Sequence, residues 1–180
     1  MDYVSFWPRG NGNPTIEELL SNRGGVTNYD SCSSWATGRD NYLASNPHTY
    51  HATNALSVFR NCPQYAAGTY FYSTFGFNLA GAAMDKAGKD AGWGDFETMA
   101  LALADSFNMS SFELDRRNNE PALQTDGFYT KQNGSIENIE NEEDVIYKVP
   151  GGGFRSNIKD ITRFFRAMIN QDVLTDSLWV

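Results

Sequence analysis

The chain has 180 residues, 41% of them hydrophobic and 20% charged, a composition typical of a soluble globular protein with room for a sizeable core. Its formal net charge of −8 argues against nucleic-acid binding, which relies on basic residues to neutralise phosphates. No apolar run approaches the roughly 18 residues that a membrane span requires. The N-terminal residues lack the basic start and the apolar stretch of a signal peptide, so none is expected.

The first predicted helix is short. Thr15 followed by Glu18 matches the capping box, in which each side chain accepts a hydrogen bond from the other residue's backbone, and it predicts a helix through Leu20. Residues 1–14 are predicted to form an extended entry that ends in a turn. Residues 22–25, with the sequence Asn-Arg-Gly-Gly, are expected to stop the helix.

Residues 26–50 are polar and are predicted to be rich in loops, held to the core by three aromatic anchors, Tyr29, Trp35 and Tyr42. His48 and His51 are the only histidines. Their spacing can place both on one helix face as metal ligands, but no acidic or cysteine partner is close in sequence, so no metal site is expected. A short helix is predicted over residues 53–59.

Cys32 and Cys62 are the only cysteines. Both lie in loop-like surroundings, and the residues leave two alternatives open. They either form one disulfide, which closes a large loop and implies an oxidising compartment, or remain unpaired thiols. Two cysteines cannot build a zinc site unaided, and no cofactor is expected.

The stretch from Gly68 to Lys89 joins an aromatic run to a segment of helical period, whose apolar positions are Phe75, Leu79, Ala82, Ala83 and Met84. Gly88 is predicted to close this helix. A tyrosine just ahead of a helix that starts on Ser73 or Thr74 can be held by its backbone with its phenol free, which suits a proton relay. The alternative is a core helix with an aromatic lead-in.

Three further features follow in the chain. Asp95 is a suitable N-cap for a helix through Ala104. Residues 127–139 are predicted to form a β-hairpin, because two strand-like runs flank Asn133-Gly134, a strong turn signal. The acidic run 140–144 is interpreted as a solvated loop.

The last predicted helix spans residues 158–170, is capped by Asn157 or Ser156, and carries apolar residues at helical spacing, namely Ile161, Phe164, Phe165, Met168 and Ile169. Ser156 and Lys159 match Ser-x-x-Lys literally, the nucleophile motif of penicillin-recognising enzymes. The serine is better suited to capping the helix, and Lys159 is expected to face solvent. The residues therefore predict one mostly helical unit with a small antiparallel hairpin.

Four blocks in register resemble one family. Residues 70–79, YFYSTFGFNL, look like the Tyr-Ser-Asn or Tyr-Ser-Thr block of class C beta-lactamase-like serine hydrolases. Residues 15–20, followed by 24–26 and Tyr29, resemble the family's Leu-Leu-x-His-Thr-Ser-Gly-Ile block with a tyrosine just after it. The family also includes DD-peptidases, esterases, D-amino-acid peptidases and the mitochondrial beta-lactamase-like protein of animals.

The two remaining blocks lie in the second half of the chain. The predicted hairpin at Asn133-Gly134 fits the family's insertion. Residues 151–156 with Asp160 and Phe164 resemble its Gly-Gly-x-x-Ser-Thr-x-x-Asp-x-x-x-Phe block. The resemblance implies an α+β, predominantly helical fold, the helical part of the beta-lactamase/transpeptidase-like fold with a small antiparallel hairpin and with the main sheet largely missing.

The resemblance assigns Tyr72 as the catalytic tyrosine, which passes protons between a nucleophilic serine, a lysine and the leaving group. It assigns Thr74 to the motif's third position, often Asn, which hydrogen-bonds substrate and the catalytic lysine. The sequence departs from the family at residues 22–25, where His-Thr-Ser-Gly is usual.

In the family the nucleophilic Ser-x-x-Lys precedes the Leu-Leu block, and a Lys-Thr-Gly-like strand comes late. Neither has a counterpart in the required order, so residues 1–180 are expected to be a single partial domain of such an enzyme, inactive alone. The expected function is hydrolysis of amide or ester bonds through an acyl-enzyme. The alternatives are a non-catalytic binding or assembly module derived from the fold, and an unrelated helical domain with a chance match.

The expected partner is a small-molecule or peptide substrate, bound once the missing segments complete the site. Beta-lactams, peptidoglycan peptides, D-amino-acid peptides and simple esters all stay open. A periplasmic or extracellular location is favoured if Cys32 and Cys62 form a disulfide.

Overall fold

The computed structural model describes residues 13–116, 128–138 and 145–172. The predicted acidic loop at 140–144 and nearly all of the predicted N-terminal entry lie outside these residues. Within them, six α-helices and two antiparallel strand pairs occur, in the order α1 (Ile16–Leu20), α2 (Trp35–Ser45), α3 (Ala52–Ala55), α4 (Thr74–Ala91), α5 (Phe96–Ser106), β1 (Glu113–Leu114), β2 (Phe128–Thr130), β3 (Ile136–Asn138), β4 (Phe154–Arg155) and α6 (Ile158–Asn170). Short 3₁₀ turns lie at Tyr29–Ser31, Leu56–Val58 and Ile146–Lys148.

Local capping fixes where the helices begin. At α1 the backbone N–H of Glu18 donates to Thr15 Oγ1 at 3.1 Å, and the Thr15 N–H donates to Glu18 Oε2 at 2.8 Å, so the predicted capping box is confirmed. At α5 the Thr98 N–H donates to Asp95 Oδ1 at 2.9 Å, which confirms Asp95 as the N-cap. Each cap satisfies backbone donors that the first helical turn leaves unpaired.

Helix α4 is the buried centre of the fold and packs against α1, α3 and α5. Most of its predicted apolar face is buried, but Met84 is exposed. The predicted end at Gly88 is wrong, because the helix continues to Ala91 and Gly92 closes it with a φ of 76°. Gly88 is instead buried where a Cβ would collide with the Met99 side chain and the Gly94 carbonyl, so its absence of a side chain lets α5 approach.

The prediction that residues 26–50 are rich in loops is wrong for Trp35–Ser45, which form helix α2. This helix lacks an apolar stripe, and tertiary contacts hold it in place. A Cβ on Gly38 would overlap the backbone of Val58, so the helix lies directly on that turn. The guanidinium of Arg39 lies 4.8 Å from the centre of the Trp35 ring, and Tyr42, one of the predicted anchors, is buried.

The two strand pairs are small. Strands β2 and β3 form the predicted hairpin, with Phe128 opposite Asn138, and Gly134 takes a φ of 83° in the turn. Strands β1 and β4 pair Glu113 with Arg155, a contact that two-residue segments are too short to signal in a sequence. The fold is therefore α+β and predominantly helical, as predicted, and the described residues hold no larger sheet.

Only part of the apolar face of helix α6 packs against the rest of the protein. Phe164 and Met168 pack on a small apolar cluster of Ala104, Phe107 and Met109. The other members of the predicted apolar face, Ile161, Phe165 and Ile169, are exposed, together with Ile158 and with Leu103 of α5. In the part of the chain that the structure describes, no helix is both long and apolar enough to cross a membrane.

Candidate active site

The start of α4 places Tyr72 at the surface on a rigid support. The Tyr72 side chain is 59% exposed, whereas Ser73, the next residue, is only 3% exposed. Ser73 Oγ accepts a hydrogen bond from the Gly76 N–H at 3.0 Å and donates to the Thr27 carbonyl at 2.6 Å. Ser73 thus caps the helix and ties it to the preceding loop, so the backbone beside Tyr72 is fixed while its phenol is accessible.

Two asparagine side chains of the loop at residues 22–28 bind the backbone at the start of α4. Asn22 Oδ1 accepts from the Ser73 N–H at 2.9 Å, and Asn28 Oδ1 accepts from the Thr74 N–H at 3.3 Å. Asn22 has a φ of 57°, a left-handed conformation that asparagine tolerates better than most residues. The sequence departs from the family's usual motif here, and the residues present still hold the loop against the helix.

Tyr29 completes a cluster of hydroxyl groups with Thr74 and Tyr72. Burial raises the pKa of the Tyr29 phenol above its ordinary value; a side-chain hydrogen bond with Thr74 opposes this rise, and the electrostatic influence of Tyr72 adds to it. The Tyr29 ring is held by Phe75, with ring centres 4.8 Å apart. Near neutral pH the Tyr29 phenol therefore remains a protonated hydrogen-bonding group beside Tyr72.

A glycine-rich segment closes over the other side of Thr74. A Cβ added to Gly151 would lie 2.7 Å from both the Thr74 carbonyl oxygen and its Cγ2 atom, so only glycine allows this approach. Thr74 itself is 8% exposed. The two residues that the family resemblance selects, Tyr72 and Thr74, are thus placed together, the first exposed and the second nearly buried.

Ser156 and Lys159 take no part in this cluster of hydroxyls. The N-cap of α6 is Asn157, whose side chain accepts from the Asp160 N–H at 2.9 Å, so the suggestion that Ser156 caps the helix is wrong. Ser156 Oγ lies 3.1 Å from Ser111 Oγ, and Lys159 is exposed. Hydrogen bonds from the hydroxyl and backbone of Ser111, with Arg163 nearby, hold the pKa of Asp160 below its usual range.

The remaining candidates lie elsewhere. Cys32 and Cys62 are joined in a disulfide between the turn before α2 and the segment after α3. His51 is exposed at the start of α3, and His48 has a φ of 56°. Among the residues that the structure describes, no group of three or more His, Cys, Asp or Glu side chains is arranged to hold a metal ion.

The fold is beta-lactamase-like. The chain is similar to a D-stereospecific amidohydrolase from Streptomyces sp., with a TM-score of 0.72, 17% identity, and coverage of 98% of this chain and 54% of that one. It is similar to a penicillin-binding protein from Bacillus halodurans, with a TM-score of 0.66, 19% identity, and coverage of 97% and 54%. A D-amino acid amidase from Ochrobactrum anthropi matches with a TM-score of 0.66, 15% identity, and coverage of 90% and 46%.

The chain belongs to the Beta-lactamase family, whose model matches residues 2–179. It spans about half the length of the solved structures named above. None of the curated proteins compared with it matches.

Proposed function

We propose that this chain supplies the proton-relay side of the active site of a serine hydrolase that cleaves amide or ester bonds through an acyl-enzyme. The observation that carries the proposal is the exposed Tyr72 phenol, held on a buried, doubly anchored helix start beside Tyr29 and Thr74. The activities in the names of two similar proteins, an amidohydrolase and an amidase, favour this class of reaction.

In this proposal the nucleophilic serine and its lysine come from residues outside the 180-residue chain. The serine oxygen attacks the carbonyl carbon of the substrate, and its proton passes through the lysine and Tyr72 to the leaving nitrogen or oxygen as the scissile bond breaks. Water then attacks the acyl-enzyme, releases the acid and returns a proton to the serine. Tyr72 is the residue proposed for the relay, because its side chain is exposed while the backbone next to it is fixed.

Thr74 is proposed to contact substrate or the catalytic lysine through its hydroxyl. Its side chain is nearly buried and hydrogen-bonded with Tyr29, so little of its surface is open to a ligand. A threonine hydroxyl is shorter than the asparagine side chain usual in the family. We therefore expect Thr74 to contribute orientation of the substrate more than direct binding.

The test uses the complete reading frame that contains this sequence, with a fluorophosphonate probe and a p-nitrophenyl ester. Tyr72→Phe should lower the rate of acylation by roughly 10²- to 10⁴-fold, the range typical of general acid–base catalysis. Tyr70→Phe is the matched control, because Tyr70 lies two residues away and is exposed to a similar extent, at 62%. Equal rates for the two variants, or covalent labelling of a serine in the 180-residue chain alone, would contradict the proposal.

A non-catalytic binding or assembly module is the second candidate. The exposed apolar side chains of α5 and α6, among them Leu103, Phe165 and Ile169, favour it, because apolar patches of this kind mark interaction surfaces. A complete reading frame that no fluorophosphonate labels, combined with a stable complex that Phe165→Ser abolishes, would favour this module over the hydrolase.

A further inference from the structure

The backbone on both sides of Lys148 is fixed by one buried side chain. Asn78, in α4 and 1% exposed, donates from Nδ2 to the Tyr147 carbonyl at 2.5 Å and to the Val149 carbonyl at 3.1 Å. A buried amide that binds the carbonyls before and after one residue restricts rotation of the backbone between them. The direction in which the Lys148 side chain leaves the backbone is thereby set by α4.

The same segment is joined to the start of α4. The Lys148 carbonyl accepts from the Gly152 N–H at 3.1 Å, and the neighbouring Gly151 packs directly on Thr74. Lys148, Thr74 and Tyr72 are therefore held by one helix and the turn packed on it. The backbone of Lys148 is therefore fixed relative to Tyr29, Thr74 and Tyr72.

The Lys148 ammonium lies among aromatic rings and has no acidic partner in the described residues. Its Nζ atom lies 5.7 Å from the ring centres of both Tyr29 and Tyr147. Among residues 13–116, 128–138 and 145–172, no carboxylate forms an ion pair with it, although the chain carries 22 acidic residues. A lysine ammonium has three N–H donors, and ring faces leave them able to bind an anion.

We propose that Lys148 is a specificity-determining residue of this site and binds a carboxylate group of the substrate beside Tyr29. The inference rests on the proposed hydrolase function and names the substrate class of the same site, an amide or ester that carries a carboxylate near its scissile bond. A purely structural lysine, packed on the two rings, would be replaced by methionine without a change in ligand preference.

The test measures binding and needs no turnover. The three probes differ in where they carry a carboxylate. N-succinyl-D-phenylalaninamide carries it on the acyl side of the scissile bond, and N-acetyl-D-phenylalanylglycine carries it on the leaving group. N-acetyl-D-phenylalaninamide is neutral. They are titrated calorimetrically at low ionic strength into the protein expressed from the complete reading frame that contains this sequence. At least one carboxylate probe should bind about fivefold to tenfold more tightly than the neutral one, as expected for a charge-assisted hydrogen bond near the surface.

Lys148→Met keeps the apolar stem and should remove that preference, whereas Lys148→Arg should retain much of it. Lys159→Met is the control for loss of charge, because Lys159 is an exposed lysine on α6. Equal binding of charged and neutral probes, a preference that persists in Lys148→Met, or no binding of any probe would overturn the inference. If the preference is found but Tyr72→Phe leaves acylation unchanged, only the proposed function fails.

Discussion

Replacing Ser73 with alanine removes one oxygen that serves two buried partners. Ser73 Oγ accepts from the Gly76 N–H in the first turn of α4 and donates to the Thr27 carbonyl at 2.6 Å. Thr27 is fully buried, so water cannot replace the lost donor without opening the loop. The variant therefore loses an N-cap and leaves a buried acceptor unsatisfied at the same time.

The two losses set the size of the effect. An N-cap serine contributes about 1 kcal/mol, and a buried acceptor left without a partner costs about 1–3 kcal/mol. The effects share one side chain, so we expect Ser73→Ala to lower the free energy of unfolding by about 2–3 kcal/mol. Thr15→Ala is the matched control, because it removes the cap of α1 from an exposed position and should cost about 1 kcal/mol.

The assay is urea unfolding of the 180-residue chain followed by circular dichroism, with the free energy extrapolated to water. The free energies can be compared only if the slope of unfolding free energy against urea concentration is the same for the unsubstituted chain, Ser73→Ala and Thr15→Ala. A Ser73→Ala variant that is as stable as Thr15→Ala, or more stable, would show that the Thr27 hydrogen bond adds nothing to the cap.

Two further predictions concern stability. Replacing both Cys32 and Cys62 by alanine should lower the free energy of unfolding by about 3–4 kcal/mol, the entropy cost of a loop closed over 30 residues; a loss under about 1 kcal/mol in urea would contradict this. Asp160 has a lowered pKa, so its contribution is present above the unfolded pKa of about 3.9 and is lost as pH falls through the folded pKa. Asp160→Asn should therefore flatten the decline of melting temperature below about pH 4, and parallel curves for the two proteins would contradict it.

The sequence signals that predict structure well are local ones. The capping residues Thr15 and Asp95 act within three positions of themselves, so their pattern is visible without the fold. Helix α2 escapes prediction because its position depends on Gly38 packing against Val58, 20 residues later in sequence. The end of α4 is misplaced for a related reason, since Gly88 serves a contact with α5 and not a helix stop.

In the candidate site, too, the residues of a local motif can be predicted from the sequence, whereas residues with distant partners cannot. Tyr72 and Thr74 are selected by a motif that lies within ten residues of sequence. Asn22, Asn28 and Asn78 are not selected, because asparagine in a loop or helix has many local roles. Their function in this fold is defined by partners between 46 and 71 residues away, which the pattern of one sequence does not reveal.

Helix α4 joins the two sides of the candidate site. Ser73 and Asn78 are five positions apart, and at about 100° per residue they point about 140° away from one another around the helix. Ser73 accordingly binds the loop that precedes it by 46 residues, and Asn78 binds the segment that follows it by about 70 residues. Tyr72 depends on the first contact and Lys148 on the second. A change that tilts or unwinds the start of α4 should therefore disturb the proposed relay and the proposed carboxylate preference together, whereas Lys148→Met should alter the preference alone.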